Sequence, residues 1–519
     1  MHNRLVLSLA STVLCLAFSA PLVAGSGPVS SFDAAKAGPA EVASKARASS
    51  PGALFRIAGL RGAEGEALTL DLESAPLFTA DFHLYVDGRD RGKDAAARFS
   101  FLRGTVEEWP RSSVALTVNV ATGAWSGYLV AKDRLYEITL PAGAAQGSIA
   151  QSAVVSRKEV EPLAKSGRLS DVLEPPAGLL EKIGGLANKT VTAPGADYQA
   201  AVAIDSDYEF FQLLGVDADG ATEYLADVIG GVSELYFRQL GVSLVISSIS
   251  LYTTPDDPWN APNPHSGATA DVLCEFSSFW QKFRPAKTHP RNAAMFFTGK
   301  RSTDISGQAW LESLCNYTAK PTACPYGGYG IVVTSRRSAS DVFTTAHELG
   351  HIFGSLHTHC YNPPIDECHS GEANCYDGPE STPDDGGSVM SYCSPSNLSM
   401  GEAGKYGLDS ERVEGVIRGF VDTVGACLTR TSDPFALTGE PGTGKATLSW
   451  LDLFSTESNW LVEQLQSNGK FKQVKTLPAN TTSVTIAGLK HGVTYSFRVR
   501  AKIKKDFSVY SNVVSVTEP

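Results

Sequence analysis

No basic run or stripe occurs anywhere in the chain. Its 44 Lys and Arg are outnumbered by 55 Asp and Glu, and the resulting net charge of −11 is spread through the sequence. That balance argues against nucleic acid and against anionic membrane as partners. Long apolar runs are also lacking. The stretch from Leu5 to Phe18 falls short of the roughly 20 residues a bilayer span needs, and no later run comes closer, so no membrane span is expected. Cysteine is missing from Gly25 to Gly195, which leaves that region without a disulfide or a thiolate ligand. Paired C-x-x-C spacing is missing as well, so a zinc–thiolate cluster at Cys360, Cys368 and Cys375 is disfavoured. Histidine is scarce, with 10 in 519 residues, which makes any cluster of it informative.

The basic start at Arg4, the apolar run after it and the small residues Ala20 and Ala24 read as a secretory signal peptide over 1–24. Outside it the chain has eight cysteines: Cys274, Cys315, Cys324, Cys360, Cys368, Cys375, Cys393 and Cys427. An even number in an exported chain implies disulfides, with connectivity left open by spacing alone. The length points to three or four domains. Region 25–195 is β-rich, with half-buried alternation at Phe82–Val86 and Val114–Val118, and 156–195 reads as a processing linker around Pro175-Pro176. Region 196–430 alternates strands and helices, which predicts a sheet packed by helices. Strands are expected at Ala200–Asp205, Val242–Leu251, Ala293–Phe297, Gln308–Leu311 and Gly330–Thr334. Helices are expected through Leu225–Leu235, at Leu273–Phe283, about Ala339–Phe353 and at Ser410–Val424. Region 431–519 is all-β. Inside it, GEPGTGKA at Gly439–Ala446 is nearly a phosphate-binding loop. Ala446 stands where a Ser or Thr belongs, and no strand–loop–helix context surrounds it. The sequons at Asn188, Asn316, Asn397 and Asn480 carry sugar only in a glycosylating host.

One stretch concentrates the chemistry. Thr345–His357, TAHELGHIFGSLH, fits H-E-x-x-H-x-x-G-x-x-H. Residues four apart share a helix face, so His347 and His351 can address one metal ion, with Glu348 beside them. His357, six residues on, reaches the same ion only if the chain turns sharply, which Gly354 permits. Three neutral imidazoles leave a coordination position for water, the arrangement of catalytic rather than closed structural zinc, and Glu348 is placed as general base. His359 and His369 fall off this spacing and are read as surface residues or as supports behind the ligands.

With Met390 in the segment SVMSYC, Ser388–Cys393, the motif resembles the metzincin superfamily of zinc endopeptidases, in which a methionine turn runs beneath the metal. DSDYEFF near the start of region 196–430 and the segment SGQAWLESLC resemble reprolysin-like catalytic domains, and Phe101–Leu140 resembles an adamalysin or reprolysin propeptide. The resemblance implies that Gly307, Gln308, Ala309, Trp310 and Leu311 line the cleft and pair with substrate as an added strand. It also implies that 25–195 is a propeptide inhibiting its own enzyme. With no thiol available, that block must be steric or come from a carboxylate or carbonyl; Asp81, Asp87 and Asp90 are candidates by exposure alone. Tyr392, two residues after Met390, resembles the astacin and serralysin branches, where such a tyrosine contacts zinc and stabilises the oxyanion. Trp450, Leu489, Tyr495 and the run TSVTIAGLKHGVTYSFRVRA resemble a fibronectin type III domain.

The reading is therefore multidomain: a β-rich propeptide, an α/β metzincin catalytic domain and an all-β fibronectin type III sandwich. The expected function is that of a secreted, extracellular, monomeric zinc endopeptidase made as a zymogen and acting on proteins or peptides, with one catalytic Zn2+; Ca2+ is an option that no residue pattern supports. The alternative is a catalytically weak adhesion or binding protein on the same scaffold. A thermolysin-type site with a distant glutamate as third ligand fits poorly, because Gly354, His357 and Met390 complete the longer motif.

Overall fold

The computed structural model describes residues 29–131, 134–144, 148–158, 172–173, 198–261, 271–301, 305–317, 324–335, 338–381, 387–393, 410–430, 437–450, 458–466, 470–479, 481–503, 506–507, 511 and 514–518. The signal segment, most of the linker at 156–195 and the sequons at Asn188, Asn397 and Asn480 lie outside the described residues.

The N-terminal region is β-rich, as its alternation implies. It contains β1 (Ser30–Asp33), β2 (Leu54–Arg61), β3 (Ala67–Ala75), β4 (Phe78–Val86), β5 (Arg89–Asp90), β6 (Phe99–Val106), β7 (Trp109–Asn119), β8 (Trp125–Ala131), β9 (Arg134–Leu140) and β10 (Val154–Lys158). Eight of these form one sheet in the order β1-β2-β3-β6-β7-β8-β9-β10. Its inward side chains, among them Phe55, Ile57, Leu70, Leu116, Trp125 and Ile138, build a core of their own.

The other two leave for a second sheet. Strands β11 (Val172–Leu173), β12 (Tyr198–Ser206), β13 (Val242–Leu251), β14 (Ala293–Thr298), β15 (Gly307–Trp310) and β16 (Tyr329–Val333) join them in the order β11-β15-β16-β14-β12-β13-β4-β5. Here β4 runs parallel to β13, with Leu84 opposite Ile249 and Val86 opposite Leu251. The inner strands are fully buried, which explains why β14 reads AAMFFT with no polar alternation. Strand β15 is antiparallel to β16, and β17 (Thr429–Arg430) adds antiparallel to β12.

The helix Ala218–Leu240 holds the two sheets together. Asp217 starts it, its carboxylate accepting from the Gly220 N–H at 2.8 Å, and Gly241 ends it at φ 65°. One face packs on β13 and on the histidine-bearing helix Ser338–Ile352; another meets β7 and β8 of the N-terminal sheet. Phe101 and Tyr128 of that sheet reach Gly230 and Gly231 of the helix. They belong to the same apolar core as Leu225, Ile229, Val232, Ala346 and Leu349. Helices Asp271–Phe283 and Ser410–Val424 complete the catalytic unit. Disulfides join Cys274 to Cys324, Cys315 to Cys427, Cys360 to Cys375 and Cys368 to Cys393.

The C-terminal unit has β18 (Thr438–Gly442), β19 (Lys445–Ser449), β20 (Asn459–Leu465), β21 (Phe471–Pro478), β22 (Ser483–Ala487), β23 (Thr494–Ile503), β24 (Asp506–Phe507) and β25 (Val514–Thr517). They form a three-stranded sheet, β18-β19-β22, and a five-stranded one, β21-β20-β23-β24 with β25 on β23. Leu448, Trp450, Trp460, Val462, Phe497 and Val499 fill the core of this unit. The stretch GEPGTGKA lies in the antiparallel hairpin of β18 and β19, so it opens no helix and cradles no phosphate.

Candidate metal centre

The histidine helix is anchored on its apolar face by Val342, Phe343, Ala346, Leu349 and Ile352, all buried. The Tyr236 hydroxyl donates to the Ala346 carbonyl at 2.8 Å. The chain just past β15 closes the C-terminal end of the helix: the Glu312 N–H donates to the His351 carbonyl, and the Ser313 and Leu314 N–H groups to that of Ile352. These bonds satisfy helix-end carbonyls and fix β15 beside the histidines. Gly354 then turns the chain at φ 97°, a backbone region unfavourable to side-chain-bearing residues; an added Cβ would also press on Phe420 at 3.3 Å.

That turn brings three buried imidazoles together. His351 Nε2 lies 2.9 Å from His347 Nε2, and His347 Nε2 lies 3.3 Å from His357 Nε2. Each other ring nitrogen faces an oxygen that can only accept. His347 Nδ1 donates to the Val389 carbonyl at 2.6 Å, His351 Nδ1 to the Ser355 carbonyl at 2.8 Å and His357 Nδ1 to the Glu372 carboxylate at 3.0 Å. This places the proton of each ring on Nδ1, so that the three Nε2 lone pairs converge on one point. Such an arrangement repels itself unless a cation lies between them. A tetrahedral zinc site with bonds of about 2.0–2.1 Å separates ligand nitrogens by roughly 3.3 Å, so the donor set fits zinc.

Glu348 is fully buried beside the ligands, and its carboxyl lies against Gly307 of β15. A methyl group on Gly307 would come within 2.7 Å of the Glu348 carboxyl carbon, so any Cβ here would make that carboxylate shift. Met390 is also fully buried; its carbonyl accepts from the Thr358 N–H at 2.9 Å, tying the turn below the histidines to the chain after His357. The ring of Tyr392 lies 4.3 Å from that of His357, centroid to centroid, and 6.3 Å from that of His347.

Strand β15 spans Gly307–Trp310, and Leu311 falls just beyond it. Gln308, Ala309 and Leu311 are buried, so their backbone rather than their side chains faces a paired strand. The strand already has a neighbour on its outer side: Val172 pairs with Ala309 and Leu173 with Trp310, in the parallel direction. Asp81, Asp87 and Asp90 are elsewhere. Strands β4 and β5 occupy the opposite edge, β4 five strand positions and about 24 Å from β15 and β5 one position further, where Asp87 accepts from Thr253 and Asp90 faces His83. They are excluded as carboxylates that plug the site.

His359 is fully buried and His369 nearly so, which rules out the surface reading of both and leaves that of supports behind the three histidines. One support was not legible: Glu372, which no motif spacing marks. Its Oε2 accepts from His357 and, at 2.8 Å, from His359 Nε2. Burial opposes its ionisation, but the rings of His357 and His359, which donate to it, hold its carboxyl far below the usual carboxylate range. The available signal was the Cys360…Cys375 pair bracketing it.

Residues 196–400 match the reprolysin-type model of Metallo-peptidase family M12, and residues 432–517 match that of the fibronectin type III domain. The chain thus carries a reprolysin-like metallopeptidase domain followed by a C-terminal fibronectin type III domain. The first supports a metalloprotease and implies zinc as its metal and protein as its substrate. Together with four disulfides the two domains fit an extracellular protein. Among the described residues no helix is long and apolar enough to cross a membrane.

No curated protein matches the chain. Solved structures that are similar to it include one titled "Myokine structure", at 20% identity over 17% of this chain and 97% of that one, with a TM-score of 0.16. Pectate lyase PelI from Erwinia chrysanthemi in complex with tetragalacturonic acid is similar at 20% identity over 16% of this chain and 28% of that one, TM-score 0.15. The twitchin kinase region from C. elegans is similar at 27% identity over 15% of each chain, TM-score 0.14.

Proposed function

We propose that the protein is a secreted zinc endopeptidase, made as a zymogen, that hydrolyses peptide bonds in extended polypeptides. The observation that carries this reading is the convergence of three buried histidines, each with its Nδ1 facing an acceptor oxygen, next to a buried glutamate that lies against strand β15. His347, His351 and His357 would hold the metal. A zinc ion supplies Lewis acidity there, acidifying water toward a pKa of about 7 and polarising a carbonyl. Glu348 takes the proton from the attacking water and hands it to the leaving amine. Its place against Gly307 keeps the carboxylate alongside the backbone of β15, where a substrate adds as a strand. The Tyr392 hydroxyl donates to the developing oxyanion, a contact worth roughly 3 kcal/mol.

Latency needs no thiol. The pairing of Val172 and Leu173 with β15 supports a block in which the linker itself holds the substrate's backbone positions, running in one fixed direction. Cutting the linker within 156–195 withdraws that segment and opens the edge.

Metal analysis of the purified full chain, together with casein hydrolysis by wild type and Glu348→Gln after the linker is cut, tests the reading. One zinc per chain is expected in both proteins, with nearly all turnover lost in the variant. Absence of zinc from the wild type, or normal cleavage by the variant, overturns it. Tyr392→Phe removes only a hydroxyl and is expected to lower turnover about a hundredfold with little change in substrate binding. Unchanged turnover would reduce Tyr392 to a packing residue.

A further inference from the structure

The three metal-facing histidines are not held alike. His347 and His351 ride on one helix, and each donates its Nδ1 proton to a neutral backbone carbonyl, of Val389 and Ser355. His357 has left that helix through the Gly354 turn and sits at the entrance of the short turn Thr358–Cys360, with no regular element to fix its ring. It alone of the three donates to a charged group. Both oxygens of Glu372 lie near its Nδ1, at 3.0 and 3.3 Å.

We infer that Glu372 is a positioning residue for His357, and that the Cys360–Cys375 bridge delivers it to the metal centre. Glu372 is 15 residues from His357 and belongs to a loop without helix or strand. Three contacts fold that loop back. The disulfide joins Cys375 to Cys360, three residues after His357. The Tyr376 N–H donates to the His359 carbonyl at 3.0 Å, and the Cys375 N–H to the Glu372 carbonyl at 3.2 Å. His359 then grips the same carboxylate oxygen from the other side, its ring parallel to that of His357 within 8° at 5.2 Å. The carboxylate is thereby oriented by two imidazoles and a covalent clasp. A charged acceptor behind an imidazole fixes its tautomer and orientation and makes its far nitrogen a stronger donor than a carbonyl does. The residue least constrained by secondary structure thus receives the strongest partner.

This inference rests on the zinc reading above, and the test separates the two. Zinc dissociation constants of the full chain are measured by chelator competition for wild type, Glu372→Gln, Glu372→Asp and the double variant Cys360→Ser/Cys375→Ser. The visible spectrum of each cobalt-substituted protein is recorded alongside. A wild type that takes up no metal sinks the zinc reading itself. With zinc bound to the wild type, Glu372→Gln is expected to weaken it roughly 10- to 100-fold and to shift the cobalt bands. Glu372→Asp, which keeps the charge on a shorter arm, is expected to recover part of the loss, and it decides the matter if the Gln variant fails to fold. The double Ser variant, with Glu372 intact, is expected to weaken zinc as well. Wild-type affinity and an unshifted cobalt spectrum in both Glu372 variants would overturn the role of Glu372. The same result in the double Ser variant would overturn that of the bridge.

Discussion

Two β-rich units flank the catalytic unit, and they are attached to it in opposite ways. The N-terminal one sends β4 and β5 into the catalytic sheet and inserts Phe101, Ala115, Tyr128 and Leu135 into the catalytic core. The fibronectin type III unit closes its two sheets on themselves and draws its core from its own residues alone. Sequence position and strand content do not separate a component from a passenger; shared sheets and shared cores do. The N-terminal unit is therefore a structural part of the catalytic unit. On the proposed latency, a cut in the linker would free the cleft without removing the strand that covers the β13 edge.

The sharpest way to break this contrast is deletion. A chain beginning at Ala196 loses β4 and leaves the apolar side of the helix Ala218–Leu240 without Phe101 and Tyr128. Each such side chain contributes about 1.5–3 kcal/mol on burial, and a handful of them matches a typical total stability of about 5–15 kcal/mol. The fragment is expected to be insoluble or to melt without cooperativity, and to recover when 25–195 is supplied as a separate chain. A soluble fragment with a single sharp calorimetric transition would show the N-terminal unit to be a passenger too.

A smaller effect sharpens the same interface. Burial between the helix and the N-terminal sheet pushes the Asp227 carboxyl up to about 7; the hydroxyls of Ser126 and Thr117 pull the other way, while Glu223 and Glu137 add repulsion. Burial raises Glu234 on the same helix in the same direction, against the pull of Arg238 and Arg103. A carboxyl raised in the folded state binds its proton more tightly there than in the unfolded chain. Its contribution is complete below the ordinary value of 3.8 and is lost as pH climbs through about 7. The melting temperature of the full chain is expected to gain from this group as pH falls from 8 to 5, and Asp227→Asn to flatten that slope. An unchanged slope in the variant would locate the titration elsewhere.

The smallest effect belongs to the C-terminal unit. A chain ending at residue 430 keeps every catalytic group, and its rate on short peptides is expected to equal that of the full chain. A large loss with the fold intact would mean that the fibronectin type III unit shapes the cleft.

What could be read in the sequence follows from the range of each interaction. The histidine helix, the helix through Leu225 and Leu235 and the helix Ser410–Val424 announce themselves by local periodicity and by the glycines that end them. Alternation at Phe82–Val86 gives a half-buried strand and is silent on its partner, so the entry of β4 into the catalytic sheet was invisible. Glu372 was hidden for a related reason. It meets His357 through a loop folded back in part by a disulfide whose pairing spacing cannot give, whereas His347, Glu348 and His351 meet through the fixed pitch of one helix.

Gly307 carries a consequence for descent. In the proposed mechanism the absence of one methyl group opposite Glu348 matters as the histidines do, yet it lies outside the H-E-x-x-H motif. A lineage that acquires alanine at this position would retain H-E-x-x-H while the proposed base has to shift. Inactive descendants of this scaffold are therefore to be sought by the residue facing the glutamate, where the familiar signature still reads as intact.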